Sequence, residues 1–197
     1  NNAVTTGAAV VVTASIAAGT GAVLGGTLTA TTVNGVATFT NLMLTGTAGN
    51  FTLNFTAPAP IAGITSANIA LGAGAATKLA LALQPSATAR SGVALVTQPI
   101  VQLQDASSNS VLQAGVNVTA AVSVGGTLTG TATVATAANG QAVFSGLIVS
   151  GLVGNYTLTF TSTAPVLTPV TTSKSGRRNA GSAARPQPTR TPAPKAP

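Results

Sequence analysis

The chain has 197 residues, of which 45% are hydrophobic and only 5% are charged, and its formal net charge at pH 7 is +7. It contains no Cys and no His, and Asp105 is its single acidic residue. We therefore expect no carboxylate pair for hydrolysis and no general base that titrates near neutrality. We also expect no metal site, because such sites are built from Cys, His or several carboxylates. The sequence predicts that the protein is not an enzyme and has no catalytic, cofactor-binding or metal-binding residues.

The distribution of hydrophobic and basic residues indicates a folded chain with a separate tail. Val, Leu, Ile and Thr recur throughout, which favours a folded core over disorder. No uninterrupted apolar run approaches the roughly 20 residues that span a bilayer, so no transmembrane segment is predicted. The chain begins without a Met-led basic and apolar leader, which is typical of a mature or truncated chain. All the basic residues except Lys78 and Arg90 lie in the last 24 residues.

Short β-strands are predicted from the first residues onward. Residues 12–14 are predicted to belong to one strand. The pair Asn34 and Gly35 predicts a hairpin, because Asn and Gly both tolerate positive φ, and the strand that follows it bears Phe39. In residues 51–56 apolar and polar side chains alternate, which is the period of a strand with one buried face. Amphipathic helical patterns are missing, and Glu is absent from the chain.

The same pattern returns about 105 residues further along the chain. Asn139 and Gly140 precede Phe144 as Asn34 and Gly35 precede Phe39, and residues 154–161 match residues 49–56. Phe39 and Phe144 are therefore predicted to be equivalent core anchors. The second copy also contains a strand over residues 100–105 that ends in a turn-rich segment, residues 105–110.

Short strands with a turn every 8 to 12 residues or so predict immunoglobulin-like β-sandwiches in tandem. Three regions are expected: an incomplete sandwich over residues 1–75, a complete one over 76–173, and a Pro-rich basic tail over 174–197. The second repeat begins with about 35 residues of opening strands that have no counterpart in the sequence of the first repeat. The missing strands either precede Asn1 in a longer tandem array or are donated by a neighbouring subunit, which would make a head-to-tail polymer.

Six segments of the second repeat resemble bacterial Ig-like repeats of the invasin and intimin type. The resemblance covers the chain from about residue 8 to about residue 172, and these segments carry it: residues 78–86, 101–106, 114–116, 125–128, 139–140 and 154–158. It implies a secreted or cell-surface protein that acts as a stalk of surface adhesins or as a subunit of extracellular fibres. In one place the chain departs from the family, because residues 107–110 replace the usual Gly-Asn-Pro turn, so the resemblance does not predict the conformation of this loop.

The leading functional prediction is a structural subunit of an extracellular or cell-surface fibre or stalk, with other copies of itself as partners in a heterologous contact. One alternative is an adhesin module whose loops bind carbohydrate or a host protein, which would expose a cluster of aromatic residues. Another is a fragment of a longer tandem Ig-like surface protein. A specific nucleic-acid partner is not predicted, since the basic tail has no aromatic residue to stack on bases.

Four further features of the sequence each allow two interpretations. The Asn-x-Thr triplets are glycan acceptors or products of strand alternation, and Ser and Thr could carry O-linked glycans; the triplets begin at Asn50, Asn54, Asn117 and Asn155. Asp105 is a lone ligand or the cap of a turn. The pairs Gly25–Gly26 and Gly125–Gly126 cradle phosphate or form turns. The tail, with Arg177 and Arg178, is a linker or strap, or it binds a polyanion such as surface polysaccharide.

Overall fold

The computed structural model describes residues 8–173 together with residues 175 and 176, and every regular element in this part of the chain is a β-strand. The first repeat contains β1 (Val11–Ala18), β2 (Ala22–Gly25), β3 (Thr29–Thr31), β4 (Met43–Gly46), β5 (Gly49–Thr56), β6 (Ile64–Thr65) and β7 (Ile69–Leu71). The second contains β8 (Lys78–Leu83), β9 (Ile100–Gln104), β10 (Asn117–Val122), β11 (Gly126–Thr129), β12 (Thr133–Ala135), β13 (Gln141–Val143), β14 (Ile148–Gly151), β15 (Asn155–Tyr156), β16 (Leu158–Ser162) and β17 (Val170–Thr171).

The predicted all-β class is confirmed. A last short strand, β18 (Ser175–Gly176), pairs with β15. The rest of the predicted tail, residues 174 and 177–197, lies outside the described residues, as do residues 1–7. Within the described ranges no helix has the length and hydrophobicity needed to cross a membrane.

Corresponding strands of the two repeats pair in corresponding registers. β1 lies between β3 and β5, and β10 lies between β12 and β16. Ala14 faces Phe55 across the first of these sheets, and Ala120 faces Phe160 across the second. The antiparallel pair β2–β4 has its counterpart in the pair β11–β14. The similarity seen in the sequence is therefore a similarity of backbone pairing as well.

The second repeat closes as a sandwich of two antiparallel sheets. One sheet has the order β13-β9-β8 and the other has the order β12-β10-β16-β17. This is the strand distribution of an immunoglobulin-like sandwich, in which the first, second and fifth main strands face the third, sixth and seventh. The core between the sheets consists of small aliphatic residues around two phenylalanines: Leu79, Leu95, Val101, Leu103, Val116, Val118, Ala120, Ala142, Phe144, Leu147, Val149, Leu158, Phe160 and Leu167.

The first repeat has only the second of these sheets. Its strands follow the order β3-β1-β5-β6, with β7 also paired to β5, and residues 8–75 contain no counterpart of the β13-β9-β8 sheet. The prediction of a strand that bears Phe39 is wrong. Residues 37–39 are in no strand, because the described residues contain no equivalent of β9, with which β13 pairs in the second repeat.

The equivalence predicted for Phe39 and Phe144 holds for their ring contacts and fails for their burial. Phe39 contacts Phe55 with ring centroids 5.4 Å apart, and Phe144 contacts Phe160 with centroids 5.1 Å apart. Phe144 and Phe160 are 1% and 0% exposed, whereas Phe39 and Phe55 are only half-buried. The difference arises because no described strand forms a sheet opposite the first aromatic pair.

The two Asn-Gly hairpins also differ. Asn34 and Gly35 both have positive φ, 50° and 78°, and Val33 and Val36 exchange two backbone hydrogen bonds, which is the two-residue hairpin that this pair favours. At the second site only Gly140 has positive φ, and the Ala137 amide donates to the Gln141 carbonyl across a three-residue loop. Each Asn-Gly pair therefore lies in a tight turn, with positive φ at both residues of the first pair and at Gly140 alone in the second.

Gly140 gives the first testable prediction. Its φ is 72°, and a Cβ added there would collide with the Val111 carbonyl oxygen. Gly92 is a matched control, because its φ is 76° and nothing lies within 4 Å of the position of its Cβ. We expect Gly92→Ala to cost about 1 to 2 kcal/mol of backbone strain and Gly140→Ala to cost about 1 to 3 kcal/mol more from overpacking. Equal losses in urea unfolding would contradict this close approach.

Candidate functional site: the repeat junction and the uncovered sheet

The turn-rich loop after β9 is held by the carboxylate of Asp105. The Asn109 backbone amide donates to Asp105 Oδ1 at 2.8 Å, and the Asp105 amide donates to the Asn109 carbonyl at 3.0 Å. Ser108 reaches a φ of 67° inside this turn. Asp105 is 6% exposed, and of its two predicted roles the cap of a turn is confirmed.

The same loop binds the first repeat through the Asn109 side chain. Asn109 Nδ2 donates to the Gly46 carbonyl at 2.9 Å, and Asn109 Oδ1 accepts from the Ala48 amide at 2.8 Å. These two partners flank the turn between β4 and β5 of the first repeat. Asn109 Nδ2 also lies 2.8 Å from Asp105 Oδ2, so one buried amide connects the carboxylate to both sides of that turn.

A third connection runs to the segment that joins the repeats. The Gly74 amide donates to Asp105 Oδ2 at 2.8 Å, and Gly74 lies between β7 and β8. We call the set formed by Asp105, Asn109, Gly46, Ala48 and Gly74 the junction clamp. Sequence reasoning found Asp105 but missed Asn109, which lies in the loop whose conformation the sequence did not predict, and no local signal reports a partner more than 60 residues away.

The clamp sets the ionisation of Asp105. The side-chain hydrogen bond from Asn109 and the backbone hydrogen bond from Gly74 hold the pKa of this carboxyl below its ordinary value of 3.8, while burial acts in the opposite direction. Hydrogen bonds donated to a carboxylate favour its charged form. The carboxylate is therefore the form that the clamp requires.

This sign determines how stability depends on pH. Because the folded state lowers the pKa of Asp105, the stabilisation is fully present above pH 3.8 and is lost as the pH falls through the lower folded value. We expect the free energy of unfolding to fall below pH 3.8 in the wild type and to fall less in Asp105→Asn, which is also less stable at pH 7. Urea unfolding at several pH values measures both. Asp105 is the only acidic side chain of the protein, so parallel acid slopes in the two proteins would contradict the prediction.

The first repeat also presents an unpaired backbone segment at the edge of its sheet, where the second repeat has β13. In the second repeat β13 pairs with β9, Ala142 faces Val101, and the Phe144 amide donates to the Pro99 carbonyl. The corresponding residues of the first repeat, 37–39, make no backbone hydrogen bond within the described part of the chain. Free amides and carbonyls at a sheet edge are a template for another strand.

Apolar positions next to this edge are incompletely covered. Val10, Val12, Leu42 and Leu44 are half-buried, whereas their equivalents in the second repeat are at most 9% exposed. A groove of about 480 Å³ lies beside the edge, and its lining carries no charged residue: Ala8, Ala9, Val10, Val12, Thr32, Asn34, Gly35, Ala37, Ala57 and Ile61. We call this region the uncovered sheet.

The remaining sequence candidates are dispersed. The four Asn-x-Thr asparagines all lie in strands; Asn54 is half-buried and the other three are exposed. Gly26 and Gly125 have positive φ of 88° and 91° in turns. The basic pair Arg177 and Arg178 lies outside the described residues.

Tyr156 belongs to the second core. Its side chain packs against the buried cluster, and its hydroxyl lies 2.8 Å from the Leu152 carbonyl and 3.2 Å from the Gly125 carbonyl. Phe51, its counterpart in the first repeat, is 1% exposed. The described aromatic residues are therefore engaged in their own sheets.

No protein-family model matches the chain, and no curated protein matches it. Among solved structures it is similar to the D0-D1 domain of intimin, with 21% identity and a TM-score of 0.35 over 84% of this chain and 79% of that one. It is also similar to a β-glycosidase from Bacteroides vulgatus, with 14% identity and a TM-score of 0.36 over 82% of this chain and 21% of that one. The fold class given above rests on strand order and pairing.

Proposed function

We propose that this chain is a structural subunit of an extracellular or cell-surface fibre or stalk, and that it has no catalytic role. The observation that carries the proposal is the junction clamp. A buried Asn and a buried Asp hold the turn of one repeat against the loop of the next through backbone atoms. A stiff stalk needs such a connection, because the covalent linker alone would leave neighbouring repeats free to bend relative to each other.

The proposal treats residues 1–75 and 76–173 as two Ig-like domains, with the boundary next to Gly74. Gly74 donates to Asp105, so the connecting segment is bonded to the second domain directly after it leaves the first. A linker tied in this way restricts bending between domains more than a free Gly- and Ser-rich linker does. This restriction supports a mechanical role.

The finer part of the proposal is that subunits associate head to tail, with a neighbour supplying the strands that the first domain lacks. The unpaired edge at residues 37–39 and the half-buried Phe39 and Phe55 support it. A contact in which a strand of one molecule fills a groove of the next is heterologous and does not close on itself, so it extends into a filament.

The proposal is tested on the native protein by immunogold electron microscopy. Antibodies raised against the full chain should label fibres or the outer surface of intact, unpermeabilised cells. Label found only after permeabilisation would contradict an extracellular role, and pre-adsorbing the antibody with purified protein provides the control. Purified material examined in negative stain tests polymerisation separately, since monodisperse particles at high concentration would contradict head-to-tail assembly while leaving the stalk role in place.

A further inference from the structure

We infer that the uncovered sheet of the first repeat is an acceptor site for a β-hairpin of the β8–β9 kind, which adds its second strand to the edge at residues 37–39. The inference rests on the proposed function and deepens it by naming the chemistry of the partner. Its basis is the internal repeat, because the same chain contains one filled copy and one unfilled copy of the same site.

The filled copy defines the geometry of the contact. Val101 faces Ala142 across the β9–β13 pair, and the Leu103 amide donates to the Gly140 carbonyl at 3.0 Å. Val101 and Leu103 are both 0% exposed, since they lie on the same face of β9 and point into the core. Ala37 and Gly35 occupy the equivalent acceptor positions in the first repeat, and both line the groove.

The acceptor surface is already formed in the first repeat. The Val10 amide donates to Thr32 Oγ1 at 2.9 Å, just as the Val116 amide donates to Thr136 Oγ1 at 3.0 Å in the second. The neighbouring strands also share their register between the repeats. An incoming strand would therefore meet a sheet in its final arrangement and would order chiefly the edge itself.

The chemistry of the groove selects an apolar, uncharged strand. None of the described residues that line it is charged, so a charged side chain entering it would lose hydration without gaining a partner among them. The strand that fills the second site, residues 100–104, carries no charge and alternates around Val101 and Leu103. The basic tail is a poor occupant by the same criteria, since its prolines at 186, 188, 192 and 194 lack the amide that a sheet edge requires.

The test titrates a synthetic peptide of residues 78–104 into the full chain and measures binding by isothermal titration calorimetry. We expect saturable binding, and we expect at least a tenfold loss of affinity when the peptide carries Val101→Asp and Leu103→Asp. In the protein, Ala37→Glu should abolish binding, because Ala37 lines the groove. Thr38→Glu is the matched control, since Thr38 is exposed and does not line the groove; the affinity of this variant should stay within about threefold of the wild type.

Three results would overturn the inference. The first is the absence of saturable binding by the wild-type peptide. The second is binding that survives Ala37→Glu, which would place the peptide on the second repeat by exchange with its own β8 and β9. The third is displacement of the peptide by a peptide of residues 174–197, which would assign the groove to the tail. Circular dichroism verifies that both protein variants remain folded, and none of these results bears on the surface location tested by immunogold labelling.

Discussion

Replacing Phe144 by alanine is expected to lower the free energy of unfolding of the second repeat by about 3 to 5 kcal/mol, the usual range for removing a fully buried phenylalanine. Phe144 is 1% exposed and its ring lies 5.1 Å from that of Phe160, centroid to centroid. The loss combines the transfer of the ring out of the core with the cavity that remains. Urea unfolding followed by far-ultraviolet circular dichroism measures it.

Phe39→Ala is the matched control, since Phe39 occupies the same position in the other repeat. Its ring is half-buried, and we expect a loss of about 1 to 2 kcal/mol from the smaller area removed from water. Equal losses for the two variants would contradict the difference in burial and would mean that the first repeat is covered in solution. Repeating the measurement at several protein concentrations shows whether another copy covers the first repeat, because the loss of stability would then depend on concentration.

Replacing Asn109 by alanine is expected to lower the free energy of unfolding by about 2 to 4 kcal/mol, because each of several buried hydrogen bonds contributes about 0.5 to 1.5 kcal/mol and one of them is made to a charged group. The variant loses the donors to Gly46 and Asp105 and the acceptor of the Ala48 amide. Since two of these partners belong to the first repeat, differential scanning calorimetry should also show the two repeats unfolding less cooperatively.

Asn68→Ala provides the control for the effect of removing an asparagine. Asn68 is exposed and donates only to the Asn50 side chain, at 3.1 Å, so its replacement should change stability by less than about 0.5 kcal/mol. A similarly small change in Asn109→Ala, or unfolding transitions that coincide with those of the wild type, would show that the clamp does not couple the repeats.

The sequence predicted the elements whose signals are local. The alternation in residues 51–56 appears as β5, with Phe51 and Leu53 buried, and the 105-residue offset reappears as equal registers in β1–β5 and β10–β16. These succeed because a strand with one buried face needs only the side chains of its own segment to define it. The comparison of the two copies also predicted that the opening strands have no counterpart in residues 8–75.

Properties that depend on distant residues were not predictable. Phe39 and Phe144 lie at the same distance after an Asn-Gly pair, and their burial differs because only Phe144 has β9 and β8 above it. The Asn139–Gly140 turn departs from the Asn34–Gly35 turn where Gly140 meets the Val111 carbonyl. Asn109 acts on residues 61 and 63 positions away, and no periodicity or spacing encodes such a contact.

The position of Tyr156 makes the two repeats distinguishable by optical spectroscopy. The chain has no Trp and this single Tyr, so its intrinsic fluorescence arises almost entirely from one phenol that packs against the second core. Emission should therefore follow the opening of the second repeat alone, while the first repeat, which carries only phenylalanines, stays nearly dark in the same experiment.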